Sequence, residues 1–138
     1  MKTFTTMTQV TRLEKAKHST STLLPKNIII ASSSSGLLPT RIQSLCNYPE
    51  RVCIGHPFNP VYLLPLVELV SGKQTKKNTI TRAKKFYEEI GMKPLIVKKE
   101  IEGYISDRLQ EALWREALHI IKDGIASVSY THLTLPTT

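Results

Sequence analysis

One histidine and one carboxylate, twelve positions apart, are the groups in this chain best placed for chemistry. His56 stands in Ile54-Gly55-His56-Pro57-Phe58-Asn59-Pro60, and Glu68 is the one charged residue in the apolar run over residues 61–70 that follows. A carboxylate in such surroundings is costly to desolvate unless a partner is supplied, and His56 is the obvious partner. A histidine held by a carboxylate has its tautomer and orientation fixed, which leaves its second ring nitrogen free to take a substrate proton. The same pair also admits a purely structural reading, as a satisfied buried His–Glu contact. Two neutral hydrogen-bonding residues, Ser35 and Asn59, keep the dyad company near the ends of predicted strands, and two prolines stiffen the loop around His56. Neutral donors beside a general base suit recognition of an alcohol on its way to a carbonyl. That oxidation needs a hydride acceptor, which no side chain provides.

The elements that must position these groups read as α/β. Ile28, Ile29 and Ile30 are β-branched and consecutive, as in a parallel strand over residues 27–31 buried on both faces. Ser32-Ser33-Ser34-Ser35-Gly36 stops that strand, and Pro39-Thr40 opens a short helix to about residue 45. Ligands in open α/β sheets gather at strand carboxyl ends, where this serine run falls; a turn whose serines cap the next helix is the plain alternative. Residues 51–54 predict a second strand, ending so that His56 also lies at a carboxyl end. Pro65 argues against a regular helix or a central strand across residues 61–70. Thr75 is a candidate cap for a helix to about residue 90, with Gly91 behind it, followed by a strand at residues 95–97. Gly103 precedes a long helix to about residue 123 whose apolar positions are Ile105, Leu109, Ala112, Leu113, Ala117, Ile120 and Ile121. That helix needs a partner surface which the chain barely supplies. The βαβ alternation implies a mostly parallel sheet, yet no Gly-x-Gly-x-x-Gly occurs in the 138 residues.

Bulk properties narrow the classes. A chain of 138 residues with 41% hydrophobic and 22% charged content suits one globular domain or a piece of one. No apolar run approaches the ~20 residues of a membrane span, so no membrane partner is expected. Two cysteines, Cys46 and Cys53, make neither a disulfide framework nor a metal-ligand pattern with the four histidines, so no metal is expected and a reducing, cytoplasmic setting is the default. The net charge of +8 is concentrated in residues 73–100, with nine basic against three acidic residues. Lys76, Lys77, Lys84 and Lys85 fall on the side of their helix opposite Ile80, Ala83, Tyr87 and Ile90, with no aromatics interleaved. They read as a solvated face, and no nucleic-acid partner is expected. Residues 1–26 are rich in Thr, Ser and Lys without periodicity and are left unassigned and poorly ordered; with a single arginine they make a poor transit peptide.

Four ordered stretches carry a family resemblance: Ala31-Ser-Ser-Ser-Ser35-Gly-Leu37, Gly55-His-Pro-Phe-Asn-Pro60, Leu66-Val-Glu-Leu69 and Glu102-Gly-Tyr-Ile-Ser-Asp-Arg-Leu109. Over about residues 27–127 the chain resembles the 3-hydroxyacyl-CoA dehydrogenase superfamily, and within it the carnitine-oxidising branch. The resemblance implies an NAD-dependent, homodimeric enzyme acting on a small 3-hydroxy substrate. Residues 27–100 would be the second half of its Rossmann-type parallel sheet, and residues 101–127 the first long helix of an all-helical domain. It implies His56 as general base, Glu68 as its orienting partner, and Ser35 and Asn59 as donors to substrate oxygen and cofactor. Asp107 falls at a further binding position, where many acyl-CoA members carry Asn. The resemblance also implies a glycine fingerprint and an acidic ribose-binding residue that this chain does not contain, so the isolated chain is expected to bind NAD poorly and be inactive. Residues 128–138 share nothing with the family and resemble a translated sequencing-adapter tail, so they are read as non-native. A 3-hydroxyacyl-CoA substrate is the alternative, for which the lysine-rich helix would serve the CoA phosphates, whereas Trp114 and Tyr62 would serve a trimethylammonium group. A non-catalytic, crystallin-like structural protein is the further alternative.

Overall fold

A computed structural model describes residues 24–129 together with one short strand, Thr5–Met7. The rest of residues 1–23, and the tail from residue 130 on, lie outside the described residues, and so does most of what the sequence implied about the two ends. In chain order the elements are β1 (Thr5–Met7), β2 (Ile30–Ser32), α1 (Pro39–Gln43), β3 (Val52–Pro57), β4 (Leu66–Ser71), α2 (Lys77–Glu89), β5 (Lys93–Val97) and α3 (Ser106–Lys122). A single 3-10 turn, Pro49–Arg51, leads into β3. The strands form one sheet in the order β1-β2-β3-β4-β5. Pairing is parallel between β1 and β2, β2 and β3, and β4 and β5, but antiparallel between β3 and β4. The expected α/β, mostly parallel sheet is therefore present, with one antiparallel pair that the sequence did not announce. β1 likewise adds a strand within the segment left unassigned.

Period-two alternation sorts the sheet's side chains onto two buried faces. One face carries Ile30, Val52, Ile54, Val70 and Val97 against Ile42 and Tyr104. The other carries Ala31, Cys53, Val67 and Leu69 against Ile80, Ala83 and Tyr87 of α2. Burial on both faces explains the consecutive apolar residues Ile29–Ala31, Val52–Ile54 and Leu69–Val70. It also pushes the Cys53 thiol up to about 12. Gly55 is required on the α2 side: a Cβ there would stand 2.3 Å from the Tyr87 hydroxyl oxygen.

Several sequence expectations shift. β4 is a strand after all, because Pro65 precedes it and its missing N–H falls outside the ladder; the Pro65 carbonyl accepts from the Lys93 amide at 2.7 Å. β3 runs through His56 to Pro57 rather than stopping at Ile54. Thr75 does not cap α2, whose first flanking residue is Lys76 without a side-chain cap. Its hydroxyl instead donates to the Val52 carbonyl at 2.7 Å and accepts from the Gly72 amide and from Gln43 Nε2. Gly91 closes α2 as expected: at φ +86° it donates to Glu88, and Met92 donates to Tyr87, a Schellman pair. Gly124 closes α3 in the same way, at φ +73° with Ile125 donating to Ile120.

α3 bears out the shortage of a partner surface. Leu109 and Leu113 are 63% and 60% exposed, and only Ser106 and Ala117 of the helix are buried. Among the described residues no helix is long and apolar enough to cross a membrane.

Candidate active site

Register brings the dyad together. β3 and β4 are antiparallel, and His56 lies directly opposite Glu68 in their ladder. Opposed residues share a face, so two side chains twelve positions apart in sequence meet as a cross-strand pair. His56 Nδ1 is 2.9 Å from Glu68 Oε2, and the two residues are 5% and 1% exposed.

Three further donors secure the carboxylate. The amides of Ile105 and Ser106, at the amino end of α3, donate to Glu68 Oε1 at 2.9 and 3.0 Å. The Ser106 hydroxyl donates to Oε2. Burial works to raise the Glu68 pKa. The Ser106 hydroxyl, the His56 ring N–H and the two amides outweigh it, so the carboxyl lies below its ordinary value. An ionised carboxylate only accepts, so in the neutral ring the proton sits on His56 Nδ1 and Nε2 is an acceptor. Ser35 Oγ is 3.2 Å from that Nε2 and donates to it in this tautomer.

The chain delivers Ser35 from the turn after β2, as the serine run suggested, with the Ser34 amide donating to Ser32 Oγ at 3.3 Å and the Leu37 amide to Ser34 Oγ at 3.2 Å. Tyr104 backs the imidazole with its ring centroid 5.3 Å away. Its backbone is left-handed at φ +45°, a conformation unfavourable outside glycine, and is held by a fully buried ring whose hydroxyl donates to the Leu37 carbonyl at 2.7 Å. Burial first, then the charges of Asp107 and Glu68, push the Tyr104 phenol well above its ordinary range.

The free face of His56 opens on a cleft of about 270 Å³ lined by Ser35, His56, Pro57, Phe58, Asn59, Asp107, Gln110 and Glu111. Asp107 Oδ1 stands 3.9 Å from His56 Nε2. Burial and the charges of Glu68 and Glu111 push the Asp107 carboxyl up, against the pull of His56. All five residues singled out from the sequence thus converge, four on the cleft and Glu68 behind His56. Trp114 and Tyr62 do not line it, and Tyr62 is 87% exposed. Sequence reasoning missed Tyr104, Gln110 and Glu111, and it assigned no role to Ser106. The stretch Glu102-Gly-Tyr-Ile-Ser-Asp-Arg-Leu109 was the available signal, but only the fold shows that its serine and its amides face Glu68.

A mostly parallel α/β sheet thus carries a buried His–Glu cross-strand pair that opens on a small cleft. A family model described as 3-hydroxyacyl-CoA dehydrogenase, NAD binding domain, matches residues 13–101, beginning inside the segment left unassigned above. The chain belongs to that family, and NAD is its cofactor. An L-carnitine dehydrogenase of Oceanobacillus iheyensis is 58% identical over 101 residues, covering 73% of this chain and 33% of that protein. Another from a Pseudomonas species is 60% identical over 99 residues, covering 72% and 31%. The chain thus spans about a third of the length of these relatives. Among solved structures, an (S)-3-hydroxybutyryl-CoA dehydrogenase from Ralstonia eutropha superposes with a TM-score of 0.78 at 28% identity, over 87% of this chain and 42% of that one. An NAD+-dependent dismutase acting as a 5-dehydrogenase superposes with a TM-score of 0.83 at 27% identity, over 89% and 41%.

The described residues fit the reactive end of the cofactor. The His56 Nε2 acceptor and the Ser35 hydroxyl meet at the carboxyl ends of β2 and β3, and Gly36 beside them has nothing within 4 Å of where a Cβ would be. A cleft of about 270 Å³ suits a nicotinamide edge and a small substrate, not a whole dinucleotide. Among the described residues there is no glycine-rich phosphate loop.

Proposed function

We propose that this chain carries the proton-transfer machinery for NAD-dependent oxidation of a small 3-hydroxy acid, L-carnitine to 3-dehydrocarnitine. The observation that carries the reading is the acceptor Nε2 of His56 at the cleft, with Nδ1 anchored on Glu68 and Ser35 Oγ 3.2 Å away. His56 Nε2 takes the proton of the substrate hydroxyl as general base. Glu68 keeps the Nδ1 proton in place and balances the imidazolium that forms. Ser35 and Asn59 hold the oxygen as it becomes a carbonyl. The two-electron oxidation would be completed by the hydride acceptor that bound NAD would supply to the carbinol carbon.

The carnitine assignment rests on 54–60% identity to L-carnitine dehydrogenases. The second reading, a 3-hydroxyacyl-CoA substrate, rests on the family's own description and on the exposed Lys76, Lys77 and Lys85 around α2. A non-catalytic role on the same scaffold is disfavoured by the intact His56–Glu68 pair. Residues 27–100 belong, in this reading, to the cofactor domain and residues 101–127 begin a helical domain through which a cytoplasmic homodimer forms. The 138 residues alone lack turnover.

The test places these residues in a protein of the relatives' full length and compares carnitine with 3-hydroxybutyryl-CoA as substrates. Carnitine supports NADH formation, and His56→Ala lowers it by a factor of about 10²–10⁴ or more while circular dichroism is unchanged. Unchanged turnover in His56→Ala refutes the base assignment. Preference for the CoA ester transfers the substrate to the second reading.

A further inference from the structure

The two oxygens of Glu68 are bound differently. An ionised carboxylate has about four acceptor positions, two on each oxygen. Oε1 takes the Ile105 and Ser106 amides at 2.9 and 3.0 Å. Oε2 takes the His56 Nδ1–H at 2.9 Å and, beside it, the Ser106 hydroxyl. All four positions are therefore filled, and the hydroxyl shares its oxygen with the imidazole. Two backbone amides on one oxygen and the opposing ladder residue on the other suffice to fix the carboxylate, so its orientation does not need the hydroxyl. The hydroxyl instead draws negative charge from the one oxygen that faces Nδ1. Burial raises the Glu68 carboxyl, and this hydroxyl leads the donors that bring it below its ordinary value. Ser106 is 8% exposed and does not line the cleft, so any effect on the reaction passes through Glu68.

We propose that Ser106 is a positioning residue that moderates the His56–Glu68 bond: its hydroxyl occupies the second acceptor position of Oε2 and limits the charge that the carboxylate presents to Nδ1. The proposal rests on the reading of His56 as general base. A base that turns over must take the substrate proton and then release it, and an imidazolium facing an unshared carboxylate oxygen releases it less readily. The other charged or titratable groups around the ring lie away from Nδ1. Asp107, on α3, stands 3.9 Å from Nε2, with Glu111 one turn beyond it. The Tyr104 ring packs against the imidazole at 5.3 Å while its phenol is turned to the Leu37 carbonyl. The turn after β2 contributes the neutral Ser35. Among the described residues Glu68 is thus the charge bonded to Nδ1, and Ser106 is the one side chain besides His56 that donates to it.

The test records the His56 Nδ1 proton by NMR in the 138-residue chain and in its Ser106→Ala and Ser106→Cys variants, the resonance being identified by its loss in His56→Ala. Alanine removes the donor, and cysteine keeps the shape with a weak one. With the donor gone the Nδ1–H···Oε2 bond strengthens, so the proton moves downfield in Ser106→Ala and less far in Ser106→Cys. A proton that stays in place or moves upfield, in either variant that keeps the parent's circular dichroism, overturns the proposal. Loss of the fold in both variants overturns it too, by making the hydroxyl structural. In a protein of the relatives' full length, Ser106→Ala moves the acid limb of the kcat/KM profile up by about 0.5–1 pH unit, an about three- to tenfold loss of rate on that limb, and leaves the plateau above it in place. A merely structural role lowers the rate alike at every pH. A downfield Nδ1 proton with an unmoved acid limb supports the moderating role of Ser106 and sinks the base assignment, whereas an unmoved proton overturns the proposal and leaves that assignment standing.

Discussion

Replacing Glu68 by Gln is the sharpest probe of the site, because shape is kept while the charge that organises it is removed. In the parent, four donors converge on the carboxylate: two amides, the Ser106 hydroxyl and His56 Nδ1–H. Hydrogen bonds to a charged group contribute about 1.5–3 kcal/mol each, and neutral ones about 0.5–1.5 kcal/mol. If the carbonyl of the substituted side chain keeps both backbone amides, each bond weakens by roughly 1 kcal/mol on that scale. The new amide NH2 then faces Ser106 Oγ, which can turn to accept, and His56 Nδ1, which can accept only by giving up its proton. The imidazole must therefore switch to the Nε2–H tautomer, which has no lone pair on the cleft side. Relief of the desolvation cost of a buried charge offsets part of the loss, so the expected destabilisation at pH 7 is about 1–3 kcal/mol. Turnover falls by a factor of about 10²–10⁴, the contribution of a positioned general base.

The pH dependence follows with a definite sign. The folded-state pKa of Glu68 is depressed, so its contribution to stability is complete above the unfolded glutamate value of about 4.3 and is lost as pH falls through the folded value. The Gln variant lacks that component, and the gap between parent and variant closes on acidification. Denaturant titration followed by the fluorescence of Trp114, the single tryptophan, reads stability. Ring 15N shifts of His56 read the tautomer. A Gln variant that retains Nδ1–H and the parent's acid dependence would refute the account of the site.

Two other substitutions test the scaffold. Gly55→Ala places a Cβ 2.3 Å from the Tyr87 hydroxyl oxygen and is expected to destabilise by about 1–3 kcal/mol in denaturant titration. Adding Tyr87→Phe removes the clashing oxygen and should recover part of that loss; no recovery would place the strain elsewhere. Gln43 is 1% exposed, its Nε2 donates to the carbonyls of Pro49 and Val52, and its Oε1 accepts from the Gln74 amide. Gln43→Leu strands these groups and should cost at least about 2 kcal/mol, measured in the same way.

Local chemistry made much of this protein legible in its sequence. Three consecutive isoleucines, the serine run, Pro39, Gly91 and Gly124 each act within a few residues, and the elements they announce lie close to where they were expected. His56 and Glu68 stood out because a lone carboxylate in an apolar run demands a partner. The boundaries that moved were decided by long-range pairing: Pro65 looked like an obstacle to a strand until Leu66 paired with Lys93 of β5 and Val67 with Pro57 of β3. Register, not proximity in sequence, sets His56 opposite Glu68. The amino end of α3 then supplies the donors that keep Glu68 charged, from residues nearly forty positions away. The acidic wall of the cleft was likewise invisible in a chain whose overall charge is positive. One-dimensional reading reveals which groups need partners; the antiparallel turn of β4 and the docking of α3 decide which partners they receive, because burial and hydrogen bonding are satisfied in three dimensions.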